Sequence, residues 1–129
     1  MNDPPSANLQ QMRSGIDVER REDGVDVVTL TGEHDLATAA DVGRRIDSVL
    51  DSAKGVAIDL SQTTFIDSAM LRVLITAQER AVERGLGFAI AVSESSGHGV
   101  HRLLNLTGLD EKLTTAPTRD DAVATASRR

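Results

Sequence analysis

The sequence predicts a single α/β domain: a mostly parallel central sheet, an N-terminal antiparallel hairpin, and about four flanking helices. Three observations predict it. Short apolar, β-branched runs alternate with stretches whose apolar residues recur at helical spacing, the pattern of strands joined by helical crossovers. Asp23-Gly24 stands between two alternating runs and is a hairpin turn signal. Residues 56–60 and 88–92 are apolar almost throughout, as strands covered on both faces are.

In chain order, residues 16–20 and 25–31 form the hairpin strands, the second rich in Val. Gly32, Glu33, His34 and Asp35 read as a turn. Thr38 and Asp41 have capping-box spacing and start the first helix, whose stripe is Ala39, Val42, Ile46, Val49, Leu50 and Ala53. Gly55 closes that helix as a C′ residue. Residues 56–60 are a central strand, followed by a polar loop. A helix then covers 68–84, with Leu71, Leu74, Ile75, Gln78, Ala81 and Val82 facing the sheet and Gly85 ending it. After the strand at 88–92 and a polar loop over 93–99, Val100, Leu103, Leu104 and Thr107 mark a short helix stopped by Gly108. Residues 113–116 form an edge strand ended by Pro117, and Thr118 with Asp121 starts a weak final helix. The expected organisation is a flexible tail over 1–14 and one domain over 15–127.

Composition narrows the function classes. The net charge is −6, and the aromatics are two Phe with no Trp or Tyr. An acidic surface without stacking platforms disfavours nucleic-acid binding. The chain has no cysteine, which removes disulfides, thiol redox chemistry and Cys-ligated zinc. Residues 1–11 lack the basic start and apolar run of a signal peptide, and no stretch is apolar enough for membrane insertion. A cytoplasmic location is the expectation.

The informative stretch runs from Asp59 to Leu71. Asp67 is a preferred N-cap residue, which places Ser68 at the first helical position with its hydroxyl free. The segment leaves the carboxyl end of a central strand, the rim where ligands gather in open α/β sheets. Ser68 is also simply a good first-turn residue, and local sequence alone favours that plainer reading. Met70, Val73 and Ala77 recur on a second face of the same helix. Such a face either packs under a neighbouring element or meets a partner.

Other constellations are weaker. His34, His98 and His101 lack the spacing of a zinc site and read as surface histidines. Asp59 lies where a phospho-accepting aspartate could lie, but the partner carboxylates and a rim lysine are missing from the pattern. Ser68 lacks a Gly-x-Ser-x-Gly context. The expectation is a protein that is not an enzyme, with no cofactor and no metal of its own.

The residues Leu30-Thr31-Gly32-Glu33-His34-Asp35, Ile58-Asp59-Leu60-Ser61, Phe65-Ile66-Asp67-Ser68, and the run from Val100 to Asp110 resemble the STAS domain family, specifically the bacterial anti-sigma factor antagonists. The resemblance spans about residues 16–126. It implies a STAS-like fold and a cycle in which Ser68 is phosphorylated by an anti-sigma factor that is also a serine kinase. The unmodified protein binds that factor and frees a sigma factor; phosphorylation releases it and a serine phosphatase resets it. ATP and Mg²⁺ belong to the kinase. Asp35 matches a family acidic residue near the phosphorylated serine. The expected partner surface is therefore Asp35, Asp67, Ser68, Ala69, Met70, Val73 and Ala77. The family usually continues Asp-Ser with Ser or Thr and then Gly, where this chain has Ala69-Met70. That departure favours an alternative, a non-phosphorylated STAS scaffold or transport-complex subunit. A second alternative is a small enzyme or receiver-like phosphoacceptor using Asp59.

Overall fold

The computed structural model describes residues 14–128. The expected tail lies outside the described residues, except that Ser14 already belongs to a strand. Strand β1 (Ser14–Arg20) pairs antiparallel with β2 (Val25–His34). Helix α1 (Leu36–Ser52), strand β3 (Gly55–Ile66), helix α2 (Ser68–Glu83) and strand β4 (Gly87–Ala91) follow. Then come α3 (His98–Thr107), the one-turn α4 (Leu109–Lys112), β5 (Thr115–Ala116) and α5 (Arg119–Ala126). The five strands lie in sequence order, and every pairing beyond the hairpin is parallel. This is the predicted α/β architecture, with α4 as an additional turn of helix that the sequence pattern did not announce.

The two faces of the sheet are covered unequally. Val28, Leu30, Val56, Ile58, Leu60, Phe88 and Ile90 join the buried stripes of α1, α2 and α3 in the larger core. The opposite face carries Val25, Val27, Ala57, Ala89, Ala91 and Ala116, on which α5 sets Ala122, Val123 and Ala126. The helix lies so close that the Ala126 carbonyl occupies the space a Cβ on Gly87 would need.

Four expectations are corrected. First, β3 does not end at residue 60. Its polar continuation, through Ile66, pairs with the end of β2, where Gly32 at φ 81° accompanies a shift in register between Gly32 and Glu33. Residues 32–34 are therefore strand rather than turn. Backbone pairing sustains both extensions where the apolar signal has faded. Second, α1 starts earlier than Thr38. Asp35 is its N-cap: Oδ1 accepts from Ala37 N at 2.9 Å, and Thr38 Oγ1 accepts from Asp35 N at 3.2 Å. Thr38 is thus the returning arm of the box, not its cap. Gly55 opens β3, and Ala53 is the C-cap of α1. Third, Val82 is 71% exposed instead of facing the sheet. Fourth, His34 is fully buried.

The burial of His34 fixes its chemistry. Nε2 lies 3.1 Å from the Gly15 carbonyl and 3.2 Å from that of Thr31. Two acceptors there require the ring proton on Nε2, which leaves Nδ1, 3.1 Å from Thr38 Oγ1, as the neutral ring's acceptor. Burial holds the pKa below its ordinary 6.5, against an upward pull from the two carbonyls and Asp35. Well above pH 6.5 the ring is neutral whether the chain is folded or not. As the pH falls below that value, the unfolded chain takes up a proton that the folded one resists. Stability therefore declines with acidification until the folded ring titrates. Urea denaturation at about pH 7.5 and about pH 5 should show this decline in the wild type and a shallower one in His34→Gln. Equal slopes would remove His34 as its source.

Candidate partner-docking site

The carboxyl ends of β2 and β3 bring the N-termini of α1 and α2 to one rim. Asp67, between β3 and α2, serves both helices. Its Oδ1 accepts from Met70 N at 3.0 Å, capping its own helix, and its Oδ2 accepts from Leu36 N at 3.0 Å in the first turn of α1. A single carboxylate thus satisfies orphan N–H groups of two helices, where both helix dipoles favour negative charge.

Ser68 follows as the first residue of α2. It is exposed, and its hydroxyl makes no hydrogen bond among the described residues. The cap is supplied entirely by Asp67, so the hydroxyl is left for solvent or a partner. The neighbouring threonines differ in this respect. Thr63 is fully buried and donates to the Leu30 carbonyl at 2.6 Å, whereas Thr64 is exposed.

Helix α3 forms the far wall. Gly97 N donates to Thr63 O at 2.7 Å, and the Thr64 carbonyl fills the place of a Cβ on Gly97. Ser95 Oγ donates to Ser61 O at 2.8 Å and Ser96 Oγ to Leu60 O at 2.7 Å. These contacts fasten the loop before α3 to the polar half of β3. The result is an open cleft of about 400 Å³ between α2 and α3, lined by Phe65, Asp67, Ser68, Arg102, Leu103 and Leu106 among others. Phe65 is 43% exposed and Leu106 73%. Leu36, tied to Asp67 through its backbone, is 76% exposed on the α1 side. Large apolar side chains therefore stand in water on both sides of the serine, a surface suited to another protein.

The expected site residues divide. Asp67, Ser68 and Ala69 lie together at the rim, and Asp35 caps the adjacent helix with its side chain half-buried. Val73 is half-buried. Met70 is fully buried and Ala77 is 2% exposed, both in the larger core. The second apolar face of α2 packs there, so these two residues do not form an open partner surface. Sequence reasoning missed Leu36, Phe65, Arg102 and Leu106. The available signal was apolar residues that fit no buried stripe, beside one of only two Phe.

Asp59 lies on the other face of the sheet and is 5% exposed. Its Oδ1 accepts from Ser61 N at 2.9 Å, and Arg119 Nη1 donates to its Oδ2 at 3.2 Å. Arg119 also donates to Thr29 Oγ1 and Glu19 Oε1. This is an anchor for the start of α5 rather than a rim carboxylate open to a phosphoryl donor. Among the described residues, no group of three or more His, Asp or Glu is placed to hold a metal ion. His98 is exposed, and His101 Nε2 lies 2.9 Å from the Ser93 carbonyl.

Comparison with known proteins places this chain in a family. The family model described as Mlab, STAS domain matches residues 18–115. The chain belongs to the STAS domain family. One relative of this STAS domain is the anti-sigma-F factor antagonist RsfB of Mycobacterium tuberculosis, 32% identical over 101 residues that cover 78% of this chain and 80% of the relative. Among solved structures, an anti-sigma factor antagonist from Mycobacterium paratuberculosis superposes with a TM-score of 0.76 at 34% identity, covering 90% of this chain and 95% of that one. The Bacillus cell fate determinant SpoIIAA in its phosphorylated form has a TM-score of 0.61 at 13% identity, covering 83% of this chain and 96% of that one, a likeness of fold alone.

Proposed function

We propose that this STAS domain is a cytoplasmic anti-sigma factor antagonist, not an enzyme, that works by partner exchange. It docks an anti-sigma factor through the rim formed by Leu36, Phe65, Ser68 and Leu106. In the cycle, Ser68 Oγ bonds to the γ-phosphorus of an ATP held with Mg²⁺ by the kinase. ADP leaves, and the hydroxyl proton passes to a base on the kinase. A serine phosphatase reverses the modification by hydrolysis. The observation that carries this reading is an exposed serine hydroxyl, without a hydrogen bond among the described residues, beside an apolar cleft at a helix start. The named relatives support it.

The rival reading, a scaffold that is never phosphorylated, drew its support from Ala69-Met70. Met70 directs its side chain into the core and is 0% exposed, so it places no bulk on the rim. The bulk of Met70 therefore lends the rival no support.

Phosphopeptide mapping after incubation with the cognate kinase and ATP tests the site. Phosphate is expected on Ser68 and absent from Ser68→Ala; phosphate that maps elsewhere and persists in the variant rejects the assignment. The docking surface has its own test. Leu106→Ser should fold as the wild type does, since Leu106 is 73% exposed. Its affinity for the anti-sigma factor should fall by roughly tenfold, as expected for a lost apolar anchor. Unchanged affinity in a titration would remove this side of the cleft from the interface.

A further inference from the structure

We infer that the Arg102 guanidinium pairs with the phosphate of phosphorylated Ser68 within the same molecule, and that this contact occupies the cleft in which the partner docks. The inference deepens the proposed function and rests on it for biological meaning. Its physical basis is separate.

Arg102 has no carboxylate within ion-pair distance among the described residues, as is also true of Arg45 and Arg72, whereas Arg44, Arg80 and Arg84 each have one and Arg119 has two. It is the one cation lining the cleft beside Ser68 among those residues. The carboxylate in that cleft, Asp67, does not engage it. Both Asp67 oxygens accept backbone N–H groups, one from Met70 and one from Leu36. In a chain of net charge −6, an exposed guanidinium thus stands across from a free hydroxyl without an anion.

Phosphorylation supplies the missing anion. It adds about 1.5 to 2 negative charges and three acceptor oxygens. Asp67, adjacent in sequence, repels that charge from the side of the cap. The guanidinium on α3 attracts it from across the cleft and can donate two parallel N–H bonds to phosphate oxygens. Because Gly97 is fastened to Thr63 and Thr64, the first turn of α3 stays in register with β3. The contact is made from within the cleft that Arg102 and Ser68 both line. It draws Arg102 over Phe65 and Leu103, and an apolar group of the partner loses its place. Release follows from an occupied cleft as well as from added charge.

Arg72 is the competing cation. It lies one turn along α2 from Ser68, and an i, i+4 pair would be close enough to interact. It lines a different groove, between α1 and α2, with Gly43, Ala69 and Val73. The inference commits to Arg102.

The test uses the full chain with phosphoserine installed biosynthetically at residue 68, so no kinase is required. In a ³¹P NMR pH titration, the second ionisation of the phosphate should lie lower in the wild type than in Arg102→Gln by about 0.5–1 unit, as a neighbouring cation dictates. Arg102→Lys should recover part of the shift, and Arg72→Gln should leave it in place. Amide resonances of Phe65 and Leu106 should move on phosphorylation in the wild type and much less in Arg102→Gln. Matching titrations for wild type and Arg102→Gln overturn the inference, as does a shift abolished by Arg72→Gln. Failure of the cognate kinase to modify the unmodified chain would instead reject the proposed function, and the titration would still decide the contact.

Discussion

Replacing Ser68 by Asp lowers affinity for the anti-sigma factor by about tenfold or more, while Ser68→Ala binds as the unmodified protein does. The sign follows from where the charge lands. Ser68 is exposed at the first position of α2, between the exposed apolar side chains of Leu36 on one side and Phe65 and Leu106 on the other. A partner that covers those groups must desolvate whatever stands between them. Burying an unpaired carboxylate costs several kcal/mol in the worst case, and only about 1.4 kcal/mol is needed for a tenfold loss. The folded chain itself is nearly indifferent. The helix N-terminus favours an anion by about 0.3–1 kcal/mol, and Asp67 opposes it over a short distance. Melting temperatures of wild type, Ser68→Asp and Ser68→Ala should therefore agree closely while the affinities diverge. Phosphoserine, with more charge than Asp, should show the larger loss. Raising the ionic strength should shrink the penalty insofar as the site stays wet, because charges separated by more than about 8 Å are screened at physiological salt. Equal affinity of Ser68→Asp and Ser68→Ala by calorimetric titration would end the charge mechanism.

The parts of this rim that sequence could reveal are those written in local chemistry. Asp67 preceding an apolar stripe announces a helix cap, and the cap leaves Ser68 its hydroxyl. Gly85 and Gly108, at φ 70° and 71°, stop α2 and α3 where the pattern predicted. What stayed hidden depends on long-range pairing. Residues 61–66 carry no strand alternation, yet β2 provides backbone partners for them. The capping-box spacing of Thr38 and Asp41 lies past the actual cap at Asp35, whose place is set by the pairing of residues 32–34 with β3. The two apolar faces of α2 were legible; that Met70 and Ala77 belong to the larger core required the position of α1. His34 is a polar residue whose burial depends on the Gly15 and Thr31 carbonyls and on Thr38, a constellation assembled from three elements. Arg102 acquires meaning only when α3 is fastened against β3.

Asp67→Ala should be the most destabilising substitution at the rim, with a loss of about 2–3 kcal/mol. An N-cap removed by alanine costs typically about 1 kcal/mol and up to about 2. That is the expected cost of Asp35→Ala, which caps α1 through Ala37 N. Asp67 carries a second bond, to Leu36 N, that joins α2 to α1. Its removal leaves N–H groups of two helices without their carboxylate and takes away the negative charge that both dipoles favour. For a domain of this size each kcal/mol corresponds to about 3–5 °C in melting temperature, so the expected decrease is roughly 6–15 °C. Asp67→Asn keeps a side-chain oxygen but can accept with one group only, and should fall between wild type and Ala. Hydrogen exchange separates the bridging role from ordinary capping. The Leu36 and Met70 amides should both exchange faster in Asp67→Ala, whereas Asp35→Ala should expose Ala37 and spare Met70. If Leu36 exchange is unaltered in Asp67→Ala, the carboxylate holds only its own helix. Function is tied to the same bond: Ser68 follows Asp67 directly, so a loosened junction lets the hydroxyl and Leu36 move independently. Partner affinity should then fall in Asp67→Ala under conditions where the protein is still fully folded, because Leu36 and Ser68 are no longer held to one another.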